Sequence, residues 1–450
     1  MSHSLRFRLF TFCLMPGTAV ACFLVSPAPA GPTENPSPSR SVYHADPEHV
    51  WNRLYAALFV RVGPDGRAYG QDRLEPLLWR ASKHLLQEDS NKRAVAILEE
   101  FLKNRGEKLI DDPLKRALLQ RDLWLVFDWL EGKHDNFAKP PLEAEAASAA
   151  QERLRRPLAA VIGRLALSPK AIQDLPDNYA AAVDSGKFAR RFDPEKPDLP
   201  YLASDLFSAD GPWVCLGRPD GPVAPLHYLS GENPFTNSVF LVFLRLPEGR
   251  TATLDYLKKL RSFTEPVAVD GGPRRAVPNP KLPELPDGAQ FALVRRTLLI
   301  DSSHRVAAAP LTESVQLRVD GSGRPFHEWR LTRSLLFAGR AGGLRALGAD
   351  ESDFKTGFNA HAMDEFETTS RGDSFPGGRQ LVVRKNCVIC HEHSGVSSFN
   401  SLFFFRGGYL RDGARGASLS PTPVSELGGV AVKWREGRPN WTALRKLLEE

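Results

Sequence analysis

Residues 239–244 read VFLVFL. Six apolar residues run without a polar break, and four of them are Val or Phe. A run this short is strand length rather than helix length. Without a polar side to give to water, it predicts a buried strand. Downstream, TLDYLKKLRSF at 253–263 predicts a short helix. DGGPRRAVPNPKLPELPDG at 270–288 is a proline-rich excursion across the surface. Phe291, Leu293, Thr297 and Leu299 favour another strand. Val315, Leu317 and Val319 alternate with Gln316 and Arg318, and a DGSG turn at 320–323 leads into FHEWRLT. There Trp329 and Leu331 alternate with Glu328 and Arg330, which predicts a hairpin. Residues 200–345 are therefore expected to form a mixed, mostly antiparallel sheet domain.

Upstream the period changes. FDPEKPDLP at 192–200 reads as a connector, and residues 46–190 read as a helical domain. Asp46 and Pro47 are placed to start a first helix. In the second, Ser90 is the expected cap. Ala94, Ile97, Leu98, Phe101 and Leu102 recur at helical spacing, and Gly106 marks the stop. The best-marked helix is DPLKRALLQRDLWLVFDWLEG at 112–132, with Asp112 as cap, Pro113 at its start and Gly132 at its end. Trp124, Phe127 and Trp129 make it the expected centre of the helical core. A further helix near 141–166 contains Pro157 and is expected to kink or split there.

Residues 346–450 are rich in glycine and close with NWTALRKLLEE, a helix expected to be capped by Asn440. The whole chain thus reads as a multidomain α+β protein of 450 residues. The N-terminus has its own character. Arg6 and Arg8 precede an apolar stretch, and Ala28-Pro29-Ala30 stands before Gly31. This is the three-part pattern of a cleaved secretory signal peptide over residues 1–30, followed by a flexible leader at 31–45. Pro16 and Gly17 interrupt the apolar stretch, which is shorter than a spanning helix needs. A lipid-anchored form through Cys22 and a membrane anchor are the alternatives to cleavage. The expected location is the periplasm or the exterior, with no membrane span in the mature chain.

Charge excludes little. The formal net charge is +6, and loss of Arg6 and Arg8 with the leader takes it to +4. Without a clustered basic face this does not argue for nucleic acid. Of the five cysteines, Cys13 and Cys22 fall in the leader. Cys215, in PWVCLG, reads as a buried core thiol. Cys387 and Cys390 remain, too few for a disulfide scaffold.

Those two stand in NCVICHEHSG, residues 386–395, with His391 directly after the second. The spacing suits haem. Thiols three apart on a short turn can add to the two vinyl groups of one porphyrin edge, and the next imidazole can then bind the iron. The segment resembles the attachment motif of c-type cytochromes, matched at Cys387, Cys390 and His391. The resemblance covers about ten residues. It implies one covalent haem c, electron transfer to a redox partner protein, and maturation outside the cytoplasm. One departure concerns the distal ligand. No methionine follows Met363, and His393 is too close to His391 to reach the opposite side of the iron easily. Met363 and His361, in NAHAMDEF, are the distal candidates. Phe399, Leu402, Phe403, Phe404, Phe405 and Tyr409 could wall a haem pocket or form a small core of their own.

Rival readings stay open. An empty distal position would suit a peroxidase-like enzyme or gas sensor. A redox or structural CxxC disulfide, or a zinc clip using Cys387, Cys390, His391 and His393, would suit an exported binding or scaffold protein. Four ligands within seven residues would strain a tetrahedral zinc site. His327 and Glu328 fall on a predicted strand and should point to opposite faces, which argues against a dyad. The RGD at 371–373 and the glycines around 406–416 lack the context of a functional motif. No GxSxG or HExxH occurs.

Overall fold

Four long helices open the structured part of the chain: α1 Val50–Phe59, α2 Glu88–Lys103, α3 Pro113–Leu130 and α4 Ala144–Leu165. A short hairpin, β1 Arg61–Val62 with β2 Ala68–Tyr69, lies between the first two. Helices α5 Pro169–Gln173 and α6 Asn178–Asp184 follow. Next come β3 Val214–Gly217, β4 Ser238–Arg245 and α7 Arg250–Arg261. β5 Val267–Val269 and β6 Ala276–Pro278 pair with each other. The chain continues through β7 Gln290–Ile300, β8 Val306–Val319, β9 Phe326–Leu331, α8 Arg333–Phe337 and β10 Leu344–Ala346. It ends with β11 Ser352–Phe354, β12 Gln380–Val382, β13 Ser420–Pro421, α9 Val424–Glu436 and α10 Pro439–Glu449. This computed structural model describes residues 41–62, 68–70, 84–131, 144–218, 221, 223, 237–262, 267–269, 276–278, 283–321, 325–349, 351–354, 380–382 and 420–450.

The fold is α+β, built from these helices and one seven-stranded sheet in the order β10-β9-β8-β7-β4-β3-β13. Every neighbouring pair in it is antiparallel. VFLVFL forms the middle of β4, and the pleat explains its composition. Val239, Leu241 and Phe243 join the large cluster that includes the N-terminal helices. Phe240, Val242 and Leu244 join a second cluster with Tyr256, Leu257 and Leu260 of α7. Both faces of the strand are covered, so neither carries a polar residue. The expected hairpin is also formed: Val315 pairs with Trp329 and Leu317 with His327.

Helix α3 is the hub. The Asp112 carboxylate accepts from the backbone N–H groups of Leu114 (2.9 Å) and Lys115 (3.1 Å), with Pro113 at the first turn. Every residue from Ala117 to Leu130 is buried. Gly132 lies outside the described residues. The large cluster draws on Tyr43 near the start, on the sheet, and on Leu427, Trp441 and Leu444 of α9 and α10. The segments 46–190, 200–345 and 420–450 therefore share one core.

Several boundaries differ from expectation. Helix α1 starts at Val50, not beside Asp46, and His49 caps it by accepting from Trp51 N–H at 3.3 Å. The Asn52 amide donates to the His44 and Asp46 carbonyls, both at 2.7 Å, and holds that stretch in a turn. Ser90 lies inside the first turn of α2, where its hydroxyl donates to the His84 carbonyl; Gln87 stands at the cap. After α2, Arg105 takes the left-handed conformation (φ 51°). Gly106 serves close approach instead, since a Cβ there would fall 2.6 Å from the Phe101 ring. Its carbonyl accepts from Trp51 Nε1 at 2.7 Å. Helix α4 runs unbroken through Pro157. Asn440 lies inside α10 with Arg438 at the cap. No helix among the described residues is long and apolar enough to cross a membrane.

Candidate functional site

Cys387, Cys390, His391, His361 and Met363 lie outside the described residues, as do His393 and the aromatic run 399–409. The structure places their points of attachment. In the β11–β12 ladder Ser352 pairs with Val382 and Phe354 with Gln380. The connection carrying His361 and Met363 thus begins and ends on one ladder. The segment 383–419, with Cys387, Cys390 and His391, leaves from Val382 and returns at β13. Ser420 there pairs with Gly217, and the Thr422 N–H donates to the Cys215 carbonyl at 2.9 Å.

Cys215 is buried in β3. Burial pushes its thiol up to about 12. It is a protonated core group.

The described residues hold their own concentration of charge, centred on α3. Arg121 Nε donates to Glu313 Oε1 at 2.6 Å, and Arg121 Nη1 to Asp122 Oδ1 at 3.0 Å. Arg333 grips Asp122 with two donors, Nε at 2.9 Å and Nη2 at 2.5 Å. Arg295 Nε lies 2.8 Å from Glu313 Oε2, which also accepts from the Ser238 hydroxyl at 2.8 Å. Thr297 donates to Glu313 Oε1 at 3.1 Å, and the Tyr43 hydroxyl to Asp122 Oδ2 at 3.3 Å. None of the five charged side chains is more than 8% exposed.

Burial alone would push the Glu313 carboxyl up. Arg121 and Arg295 outweigh that and bring it down to about 2. Burial would likewise weaken the Arg121 and Arg333 cations, but their carboxylate partners hold both above the ordinary arginine value. Burial and the Asp122 charge push Tyr43 well up. Glu313, Arg121 and Arg333 are each held in the charged form by their partners. The cluster joins α3 to β7, β8 and α8.

A second buried pair ties the C-terminus to α3. Arg435 Nη2 and Asn440 Nδ2 donate to Asp128 Oδ1 at 2.6 and 2.8 Å. Arg435 Nη1 donates to Asn440 Oδ1 at 2.7 Å, and the guanidinium lies 4.8 Å from the Trp124 ring centre. Asn440 works in this tie, so it is not spent on a cap. His327 Nε2 lies 3.0 Å from the Pro197 carbonyl oxygen, while Glu328 accepts from Arg330 Nε at 2.8 Å. The two neighbours are engaged with different partners, as their opposite faces require.

The signal for the ionic cluster was visible in part. Arg121, Asp122 and Asp128 stand among the apolar residues of the second half of α3, which marks them as paired in the core. No local spacing identifies the partners. Among the described residues no group of His, Cys, Asp and Glu is arranged to hold a metal ion. The chain matches no known family, no curated protein and no solved structure.

Proposed function

We propose that the chain is an exported c-type haem protein that passes electrons through one covalently attached haem. The observation that carries this reading is Cys387-Val388-Ile389-Cys390-His391. Cys387 and Cys390 would form the two thioethers, and His391 would bind the iron from the proximal side. Met363 or His361 would fill the distal position. When bound, haem supplies a one-electron iron couple whose potential its ligands and surroundings set. The signal-like leader at 1–30 supports export, since haem is attached to such motifs outside the cytoplasm. In this reading residues 346–450 are the haem-binding region, and the helices of 46–190 with the sheet of 200–345 form the body that a redox partner meets. A second reading, a peroxidase-like enzyme or gas sensor, is favoured by the lack of any methionine after Met363.

The test is covalent haem. The protein would be matured with haem-attachment machinery, denatured, extracted with acidified solvent, and examined by pyridine haemochrome spectrum and intact mass. Haem is expected to stay with the polypeptide and to be lost in the Cys387→Ala, Cys390→Ala double variant. A bare polypeptide mass from well-matured material would sink the proposal and leave a disulfide or zinc clip. A low-spin reduced spectrum supports electron transfer. A high-spin spectrum that shifts with carbon monoxide supports the second reading.

A further inference from the structure

Tyr43 is the first buried side chain among the described residues. Its ring meets Trp51 and Tyr55 of α1 and Phe337 beside them, with centroids 5.7, 5.5 and 5.4 Å away. Its hydroxyl reaches Asp122 in the ionic cluster, and its carbonyl accepts from Lys115 Nζ at 2.7 Å. Its N–H donates to Asn52 Oδ1 at 2.8 Å. Tyr43 thus closes over the Asp122 end of the cluster. Residues 44–49 carry the chain from there to the start of α1 as a short strap.

Two histidines hold this strap. His44 Nδ1 accepts from Asp46 N–H at 3.1 Å, and His49 Nδ1 accepts from Trp51 N–H at 3.3 Å as the cap of α1. The two rings stack, with centroids 4.2 Å apart and planes 24° from parallel. An Nδ1 that accepts from an amide leaves the ring proton on Nε2, so neither ring offers a lone pair to a metal ion. Both hydrogen bonds need the neutral imidazole, because a protonated ring carries N–H at both nitrogens. Protonation would set the His49 Nδ1 donor against the Trp51 donor. It would also place a cation at the positive end of α1 and against the His44 ring. The groups acting on His49 are His44 and Asp46 of its own segment and Lys115 of α3. Glu48 is its exposed neighbour, and Arg53, one turn on, is paired with Glu100 of α2. Burial, then His44, favours the neutral ring; Asp46 opposes them and Lys115 adds to them. The imidazole is held below its ordinary value of 6.5.

We propose that His44 and His49 form an acid-sensitive latch, whose protonation loosens residues 43–49 and with them the Tyr43 cover over Asp122. An opened His49 takes up its proton near 6.5, the latched one only at lower pH. Across that interval the open state binds more protons, so acid favours opening. Above about 6.5 the strap has its full stability. This response begins well above the pH at which Glu313 takes up its proton, so the two are separable. The latch involves none of Cys387, Cys390 and His391, and its failure would leave the haem reading where it stands.

Hydrogen exchange of the full-length protein, read by mass spectrometry and corrected for the intrinsic effect of pH, would be compared at about pH 7.5 and about pH 5. Protection of residues 43–52 should fall about fivefold in acid, the equivalent of one lost helix cap, while α3 keeps its protection. In the His44→Asn, His49→Asn double variant, asparagine still caps α1 but does not titrate, so the fall should vanish. No fall in the wild type, or the same fall in the variant, would overturn the latch. An equal loss in α3 would also overturn it, since the whole fold would then be responding. Should the double variant not fold, the wild-type protein labelled with carbon-13 at the histidine Cε1 positions decides. His49 should titrate below 6.5, and the Trp51 amide resonance should shift with it. A His49 that titrates at 6.5 or above, or that leaves the Trp51 amide unmoved, would sink the proposal.

Discussion

Glu313 shows what a single buried charge does for this fold. Its carboxyl is held at about 2 when folded, against an ordinary value of 4.5. The ionised form is therefore favoured by the fold. That contribution is fully present above about pH 4.5 and is lost as pH falls toward 2. It amounts to on the order of 3 kcal/mol. Glu313→Gln should flatten the acid limb between those values. It should also lower stability at pH 7 by roughly 3–5 kcal/mol, because Arg295 loses the Glu313 carboxylate and Arg121 keeps only Asp122. Urea unfolding at pH 7, 4 and 2.5 would check both. An acid limb of unchanged slope would mean that other carboxylates set it. Such residues are only half legible in a sequence. Arg121 and Asp122 stand out as charges beside the apolar run of α3, but Glu313 lies 192 positions from Arg121, and Arg333 lies 211 from Asp122. Pairings over that distance come from the tertiary fold. By contrast the pattern of Cys387, Cys390 and His391, on which the haem proposal rests, is local in the sequence.

Elements were read best where burial and period agree. β4 could be read from VFLVFL, and α3 from Asp112, Pro113 and its aromatic residues, because each signal lies within the element itself. The starts of α1 and α2 were misread because Asn52 and His84, outside the expected caps, decide where Asp46 and Ser90 spend their hydrogen bonds. Helix α4 was expected to kink or split at Pro157; it does not split, and Leu154, Leu158, Val161 and Ile162 bury the same stripe on both sides of it. Packing outweighs the lost backbone hydrogen bond, whose absence leaves the Arg153 carbonyl without its N–H donor within the helix. Pro157→Ala should therefore stabilise the protein. Restoring that bond is worth up to about 3 kcal/mol, less roughly 0.4–1 kcal/mol for the looser unfolded chain. A rise in Tm of the full-length protein would confirm it, and a fall would show that the ring itself is needed in the packing.

On the scale of the whole molecule, the last helices are part of the first core. Leu427, Ala431, Trp441 and Leu444 are buried in the cluster that holds Trp51, Phe101 and Trp124. Arg435, fully buried, is neutralised by Asp128. Asp128→Ala would leave that cation without its carboxylate. The expected cost is roughly 3–5 kcal/mol, read as a drop in the urea midpoint. Because α9 and α10 close a core shared with α3, the loss should appear as one cooperative transition followed by both tryptophan fluorescence and far-ultraviolet dichroism. Two separated transitions would show that the C-terminal helices melt on their own.

This arrangement also bears on the order in which the protein can be made. A ribosome delivers α3 long before α9 and α10. Until residues 424–449 emerge, Trp124 lacks its contact with Trp441 and Asp128 lacks Arg435. The nascent chain must carry an unfinished core from the emergence of α3 until α10 has emerged. The native packing can close only after NCVICHEHSG has already passed out of the exit tunnel.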